Sequence, residues 1–499
     1  MSANKSLLIL PSLPAPPSRS ALSSAYTPTL ISLLPKLVPA STKHSSRLDI
    51  ALVLDSSYDT CRPRPALFAP LEALLRESYS LVCLVAAQQG IDLDLPGGLD
   101  VRIFFIHPPS GPADAAPTPL SGPLINLATL AASLSSSTPV YVPGSEAGLA
   151  IASAFSTTFH EAHSTKPSVR PLSHGPSPAQ ALAATATATT TTAATPTTAA
   201  TPTTAATPTA AMTTTATTTT ATTTTATTTT ATPTTTATPT TATPTTATTT
   251  TTTITTTTPA SNHASIHKSI AVGGTFDHLH IGHKLLLTAT LLPASPQPAL
   301  PPRTITVGIT NQDLLANKKH ASVLEPWAQR VERTAAFVES ILCFAPAADM
   351  AKMRRIDQLH HPVVNGRITR YTYTPLPPTT RAALARQFAD ESTVIVNYTL
   401  ITDPFGPTIT EQDITGIVVS AETRGGGRAV NEKRVEKGWK ALEVWEVGVL
   451  DAGSSSSCSA ATSTSANGEH KQAGPAFADK ISSTEIRRRL VEMAKDGKL

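Results

Sequence analysis

The part of this 499-residue chain best suited to chemistry is a glycine pair followed by spaced histidines, Gly273-Gly274-Thr275-Phe276-Asp277-His278-Leu279-His280-Ile281-Gly282-His283. Glycine has no Cβ, so a ligand can approach its backbone closely. His280 and His283 stand three apart at the start of a helix that continues through Leu285, Leu286 and Leu287, and they project from one face of it. The unpaired N–H groups of a helix start, with the positive end of its dipole, favour a phosphate, and imidazoles add hydrogen bonds to it. The pattern describes a phosphate-gripping corner. Two plainer readings stand beside it: His278, His280 and His283 as a metal site, or as surface residues. No neighbouring cysteine or evident fourth ligand completes a zinc set.

Two further segments offer related chemistry. Ser482-Ser483-Thr484-Glu485 has the S-x-x-E spacing of a capping box, which opens a helix and presents N–H groups to an anion. Arg487, Arg488 and Arg489 follow directly, and an ordinary capped basic helix is the competing reading. Asn317-Lys318-Lys319 supplies a cation after a strand at 304–309, where a solvated loop lysine is the plainer expectation.

These segments need elements to position them. After residue 265, strands are expected at 269–272, 304–309, 393–396, 417–420 and 442–449, with a helix at 325–343 opened by Pro326 in its first turn. Strands alternating with helices imply a parallel sheet covered on both faces, with ligands at the carboxyl ends of the strands. In the first half, apolar runs at 6–10, 48–54, 81–86 and 101–106 read as strands, and 65–78 reads as a helix between them. That half is a second α/β unit to which no chemistry is assigned. His160 and His163 in it read as a solvated helical face.

Between the halves, every residue from Ala183 to Ala260 is Ala, Thr or Pro except Met212 and Ile254. Such a segment has no apolar face to offset its ordering entropy, and as a coil of roughly 80 residues its ends would lie about 50 Å apart. A glycosylated stalk is the alternative, but it needs secretion. The expected layout is an N-terminal α/β domain of unassigned role over 1–175, a disordered linker over 176–264, and the chemical domain over 265–499. A disordered Ser/Ala/Thr insertion is expected near 451–475.

Composition narrows the partners. The chain is 40% hydrophobic but only 4% aromatic, and 38 Lys and Arg against 34 Asp and Glu leave a net charge of +4. That field is too weak to argue for nucleic acid or a membrane surface. The four cysteines, Cys61, Cys83, Cys343 and Cys458, lack CxxC spacing, which fits a reducing compartment. The N-terminal apolar run Leu7-Leu8-Ile9-Leu10 is too short for a signal core, and no run approaches a membrane span. The chain is expected to be soluble and cytoplasmic.

The string G-x-F-D-x-x-H-x-G-H at Gly273–His283 resembles the first signature of the nucleotidyltransferase superfamily, and Ile481-Ser482-Ser483-Thr484-Glu485-Ile486-Arg487 resembles the second. Lys318 falls where that superfamily carries a phosphate-binding lysine. Asp403-Pro404-Phe405-Gly406-Pro407 and Val418-Val419-Ser420-Ala421-Glu422-Thr423 are similar to segments of the phosphopantetheine adenylyltransferase family of eukaryotes, as found in the corresponding half of animal coenzyme A synthase. The resemblance covers about residues 268–495, and it is only a loose likeness in layout to fungal stand-alone enzymes over the first half. It departs after Val418–Thr423, where Arg424 is followed by Gly425-Gly426-Gly427 and Arg428, so either arginine is a candidate phosphate contact.

The resemblance implies a Rossmann-like sheet and transfer of an adenylyl group from ATP, with Mg²⁺, to 4′-phosphopantetheine in coenzyme A biosynthesis. It implies catalytic roles for His283, His280 and Lys318. It places ATP on Gly273, Gly274, Phe276, His280, His283, Ser482, Ser483, Thr484 and Arg487, and the acceptor on Thr275, Lys318, Asp403 and Arg424. No protein-held metal site is expected. Rival readings are the same chemistry on another acceptor such as nicotinamide mononucleotide, a cytidylyltransferase, or a non-catalytic scaffold for other enzymes of the coenzyme A pathway. The sequence has no G-x-x-x-x-G-K-[ST] loop, so the kinase activity joined to this family in animals is not expected here.

Overall fold

Val- and Ile-rich runs that can be buried on both faces become parallel strands, and the described residues form two sheets built on them. The computed structural model describes residues 4–38, 46–60, 62–95, 97–107, 117–172, 267–294, 302–360, 366–376, 393–450 and 482–496. The predicted linker at 176–264 and insertion at 451–475 lie outside the described residues.

In the second half, β7 (Ser269–Gly274), β8 (Arg303–Thr310), β9 (Arg354–His360), β10 (Arg367–Tyr373), β11 (Val394–Ile401), β12 (Gly416–Ser420) and β13 (Glu443–Val447) form one sheet. Its order is β13-β12-β7-β8-β11-β10-β9. The five strands from β13 to β11 are parallel, and β10 and β9 add antiparallel at one edge. Taken in chain order, the parallel strands run third, second, first, fourth, fifth from β11 to β13. That is the doubly wound order, whose direction of winding reverses between β7 and β12. Among the described residues its helices are α5 (Ile281–Leu291), α6 (Trp327–Leu342), α7 (Ala347–Met353), α8 (Arg424–Glu436) and α9 (Ser483–Lys495). Pro326 is the residue that caps α6, one position before its first turn.

The first half repeats the plan with β1 (Asn4–Leu10), β2 (Ser46–Val53), β3 (Leu99–Ile106), β4 (Leu124–Ile125), β5 (Pro139–Pro143) and β6 (Ser168–Leu172), all parallel in the order β4-β3-β2-β1-β5-β6. Its helices are α1 (Arg19–Leu37), α2 (Arg64–Gln88), α3 (Leu127–Ser133) and α4 (Glu146–His163). The strand expected at 81–86 is instead the last part of α2. Nearly every residue from Ser78 to Ala86 is buried. A helix enclosed on all sides shows a continuous apolar run, which local pattern cannot tell from a buried strand. On α4, His160 is exposed and the His163 ring lies against Phe159.

Residues 1–177 and 263–499 group into one compact unit. One contiguous cluster of buried side chains includes Leu8, Tyr79 and Phe105 from the first half and Leu285, Phe337 and Trp445 from the second. Gly122 N–H donates to the Leu342 carbonyl at 3.1 Å, and Phe344 N–H donates to the Pro119 carbonyl at 2.7 Å. A Cβ on Gly122 would stand 2.0 Å from the Ile341 carbonyl oxygen, so the two backbones can meet there only because residue 122 is glycine. Among the described residues no single helix is long and apolar enough to cross a membrane.

Candidate active site

β7 ends on Gly273-Gly274 at the point where the winding reverses, where doubly wound sheets bind ligands. A Cβ on Gly274 would lie 2.9 Å from Cζ of Phe276, whose buried ring fills the space beneath the turn. A Cβ on Gly273 would have nothing within 4 Å among the described residues. Gly274 is therefore required by packing, and Gly273 keeps a surface clear. Phe276 and His278 both have left-handed backbone, with φ of 47° and 45°. Such strain in non-glycine residues persists only where neighbours over-determine it.

The neighbours that do so were not legible in the sequence. Asp277 is fully buried, and its Oδ1 accepts from Glu325 N–H at 2.9 Å. Glu325 Oε2 accepts in return from His278 N–H at 2.9 Å. His278 Nε2 donates to the Val323 carbonyl at 2.7 Å, so this imidazole is committed to the scaffold. Arg330 on α6, with no exposed surface, donates from Nη1 to the Thr275 carbonyl at 2.7 Å and from Nε to the Glu325 carbonyl at 3.0 Å.

Beyond the turn, His280 caps α5. Its Nδ1 accepts from Gly282 N–H at 3.2 Å, which leaves the proton of a neutral ring on Nε2. The His280 and His283 rings stack with centroids 3.9 Å apart. Burial, then the nearby Lys284 charge, pushes His280 down to about 3. Burial and His280 hold His283 well below the ordinary histidine value. Both are therefore neutral donors near neutrality. His283 Nδ1 is buried and finds no hydrogen-bond partner among the described residues. Among those residues no group of three His, Cys, Asp or Glu side chains converges on a metal position.

The second predicted segment meets the first at Asp277. Ser482 caps α9 by accepting from Glu485 N–H at 3.2 Å, which is one half of the expected capping box. Ser483 Oγ donates to the Asp277 carbonyl at 2.9 Å. Arg487 is buried: Nη1 donates to Asp277 Oδ2, Nε to the Lys319 carbonyl at 3.0 Å, and Nη2 to Thr484 Oγ1 at 3.1 Å. All three guanidinium nitrogens thus hold protein groups, and the loop carrying Lys318 is tied to α9 through Lys319. The Lys318 side chain itself is exposed.

On the acceptor side, Asp403 follows β11 and folds its own loop, with Oδ1 accepting from Phe405 and Gly406 N–H, each at 2.8 Å. The loop is held from α8 by buried Arg434, which donates to the Thr408 carbonyl at 2.6 Å, another anchor that the sequence did not disclose. Arg424 opens α8 and is exposed, in a two-point ion pair with Glu446 on β13, while Arg428 one turn on is also exposed.

Fold and site define a class: a doubly wound α/β protein that presents two helix starts, joined at one buried aspartate, beside two neutral imidazoles at the turning point of its sheet. Within that class, the chain is a distant homologue of proteins named phosphopantetheine adenylyltransferase. It is 28% identical over 224 residues to the one from Saccharomyces cerevisiae, covering 45% of this chain and 49% of that protein. It is 25% identical over 184 residues to the one from Thermococcus kodakarensis, covering 37% and 76%. It is also 31% identical over 180 residues to an uncharacterized protein of Schizosaccharomyces pombe, covering 36% and 39%. Each alignment with a fungal relative thus spans half of that relative's length or less. Residues 1–178 match a family described as "Domain of unknown function (DUF8446)". A solved structure of a protein with unknown function from Archaeoglobus fulgidus is 22% identical and covers 36% of this chain and 88% of its own, with a TM-score of 0.20 that bears on nothing further.

Proposed function

We propose that this chain transfers an adenylyl group from ATP to 4′-phosphopantetheine, giving dephospho-coenzyme A and pyrophosphate, by the stand-alone nucleotidyltransferase chemistry its two signature segments resemble. The observation that carries the reading is the meeting of those segments at Asp277, which takes Arg487 on its carboxylate and Ser483 on its carbonyl. Two stretches that far apart in sequence have no local reason to meet, and their meeting at Asp277, just ahead of α5, supports one site shared by the starts of α5 and α9. The homologues named for this activity agree with it.

In the proposed reaction an oxygen of the 4′-phosphate attacks the α-phosphorus of ATP in line. The new P–O bond forms as the bond to the β-phosphate bridging oxygen breaks, and the electron pair leaves with pyrophosphate. The protein's contribution is to position two anions and to stabilise charge on the phosphorus. His283 and His280, neutral and already oriented, donate to ATP phosphate oxygens, with His283 nearest the transferring group. Gly273 and Gly274 let the nucleotide approach the backbone above Phe276. Ser482, Ser483 and Thr484 at the start of α9 serve the β- and γ-phosphates, with Arg487 holding that helix start in place.

Thr275 and Lys318 hold the acceptor phosphate, with Asp403 and Arg424 beside the pantetheine. Because Glu446 engages Arg424, Arg428 is the alternative phosphate contact. Mg²⁺ enters as part of the ATP substrate, and no step here depends on protein ligands to it. The test is pyrophosphate release by the full chain with ATP and 4′-phosphopantetheine, nicotinamide mononucleotide or phosphocholine, using CTP as well as ATP. Release with ATP and phosphopantetheine alone supports the reading, and release only with another pair replaces it.

A further inference from the structure

We propose that three aspartates of the first half, Asp92, Asp94 and Asp100, position both helix starts of the nucleotide site, making that half a working part of the site. This rests on the adenylyltransferase reading for the identity of the nucleotide, but the contacts themselves do not depend on it.

The first half reaches the site at three points. Asp94 Oδ1 accepts from the backbone N–H of Ile281, the first residue of α5, at 3.3 Å. Asp100 Oδ1 accepts from Nζ of Lys284, next to His283, at 2.8 Å. Asp92 Oδ2 accepts from Nη2 of Arg489, two residues beyond Arg487 on α9. The segment from which they act is itself braced: Asp92 Oδ1 accepts from the N–H groups of Asp94 and Leu95 at 2.9 and 2.8 Å. Asp100 Oδ2 also takes Arg102 at 2.7 Å. One short segment therefore holds α5 by its first backbone donor and its second-turn lysine, and holds α9 by an arginine.

Two of the four orphan donors at the start of α5 are thus already taken, Ile281 N–H by Asp94 and Gly282 N–H by His280. Those bonds orient the first turn, and with it the stacked pair of histidines. The outer face of α5, which a lone doubly wound domain would turn to water, packs here on α2 and β3. Lys284, Leu285 and Leu287 are all at most 5% exposed. A carboxylate beside a phosphate-binding helix start would ordinarily oppose the ligand. Asp94 spends Oδ1 on the Ile281 N–H, and burial pushes its carboxyl up. Against the upward push of burial, Lys284 and Arg102 keep Asp100 ionised, and Lys284 carries the compensating charge. Positioning residues of this kind act on geometry, where displacements of an ångström are costly.

The test uses the full chain with Asp92→Asn plus Asp94→Ala, and separately Arg489→Gln, which removes the α9 tie from the less buried side. Two readouts are taken: ATP affinity by titration, and amide hydrogen exchange. ATP affinity should fall about tenfold in the double variant, the scale expected of a loosened positioning element. Exchange should rise at 281–285 and 483–489 in the double variant and at 483–489 alone in Arg489→Gln, with β2 and β11 unchanged in both. Arg489→Lys, which keeps the ion pair, should return exchange at 483–489 toward the wild-type level relative to Arg489→Gln. A uniform rise in exchange through both sheets, or unchanged exchange at the two helix starts, overturns the proposal. If the wild type makes no dephospho-coenzyme A yet exchange changes as described, the reading of the substrate fails and the positioning role stands.

Discussion

Arg487 Nη1 donates to Asp277 Oδ2 across 210 positions of sequence, and neither side chain is more than 3% exposed. Removing one member of a buried pair leaves the other charge uncompensated, at a cost of about 3–5 kcal/mol. Arg487→Ala should lower unfolding stability by that order in urea titrations. Replacing both residues with apolar ones should cost less than either single change. A single variant as stable as the wild type would show the pair to be incidental.

The glycine pair separates packing from binding. Gly274→Ala sets a Cβ against the Phe276 ring and should cost about 1–3 kcal/mol of stability, the usual penalty for overpacking. Gly273→Ala meets nothing within 4 Å among the described residues and should shift stability by no more than about 0.5 kcal/mol, as for other open positions. Its effect should fall on KM for ATP. Equal stability losses in the two variants would contradict this division.

Acid should loosen the site through its histidines. His280 is held down at about 3 by burial, so between about 3 and its ordinary value of 6.5 the unfolded chain binds a proton that the folded chain refuses. Stability is then full above 6.5 and declines as the pH falls, with a slope of up to about 1.4 kcal/mol per pH unit from one such group. Carboxylates add slopes of their own, so the comparison is with His280→Asn. That variant should lose less stability than the wild type between pH 6.5 and 4.5. Parallel curves would count against a buried neutral His280.

Residues 265–499 expressed alone would expose the outer face of α5 together with Trp445, which packs on Phe68. Each large apolar side chain returned to water forfeits about 1.5–3 kcal/mol, and a few of them match the whole stability of a domain. The fragment should be insoluble or largely unfolded by circular dichroism, and co-expression with residues 1–178 should recover it. A soluble, cooperatively unfolding fragment would show that the second half does not need the first.

Gly273–His283, the serine cap at 482, five of the seven strands of the second sheet and three of the six of the first are legible in the sequence, because those signals are local: a glycine turn, a capping spacing, an apolar run. Arg330, Glu325 and Arg434 stayed hidden because a charged residue in a helix or loop reads as solvated until its distant acceptors are known. Asp92, Asp94 and Asp100 act on residues more than 180 positions away, and no periodicity announces such a contact. The run at 81–86 reads as a strand for the opposite reason, since a helix buried on every side has no polar face to reveal its period.

The most direct test of the central claim is the turnover of His283→Ala with ATP and 4′-phosphopantetheine, measured as dephospho-coenzyme A formed by the full chain. His283 stacks on a neutral partner, and if it is the proposed transition-state donor its loss should lower kcat at least about a hundredfold with the unfolding midpoint unchanged. Near-normal turnover in a folded His283→Ala protein would contradict the account.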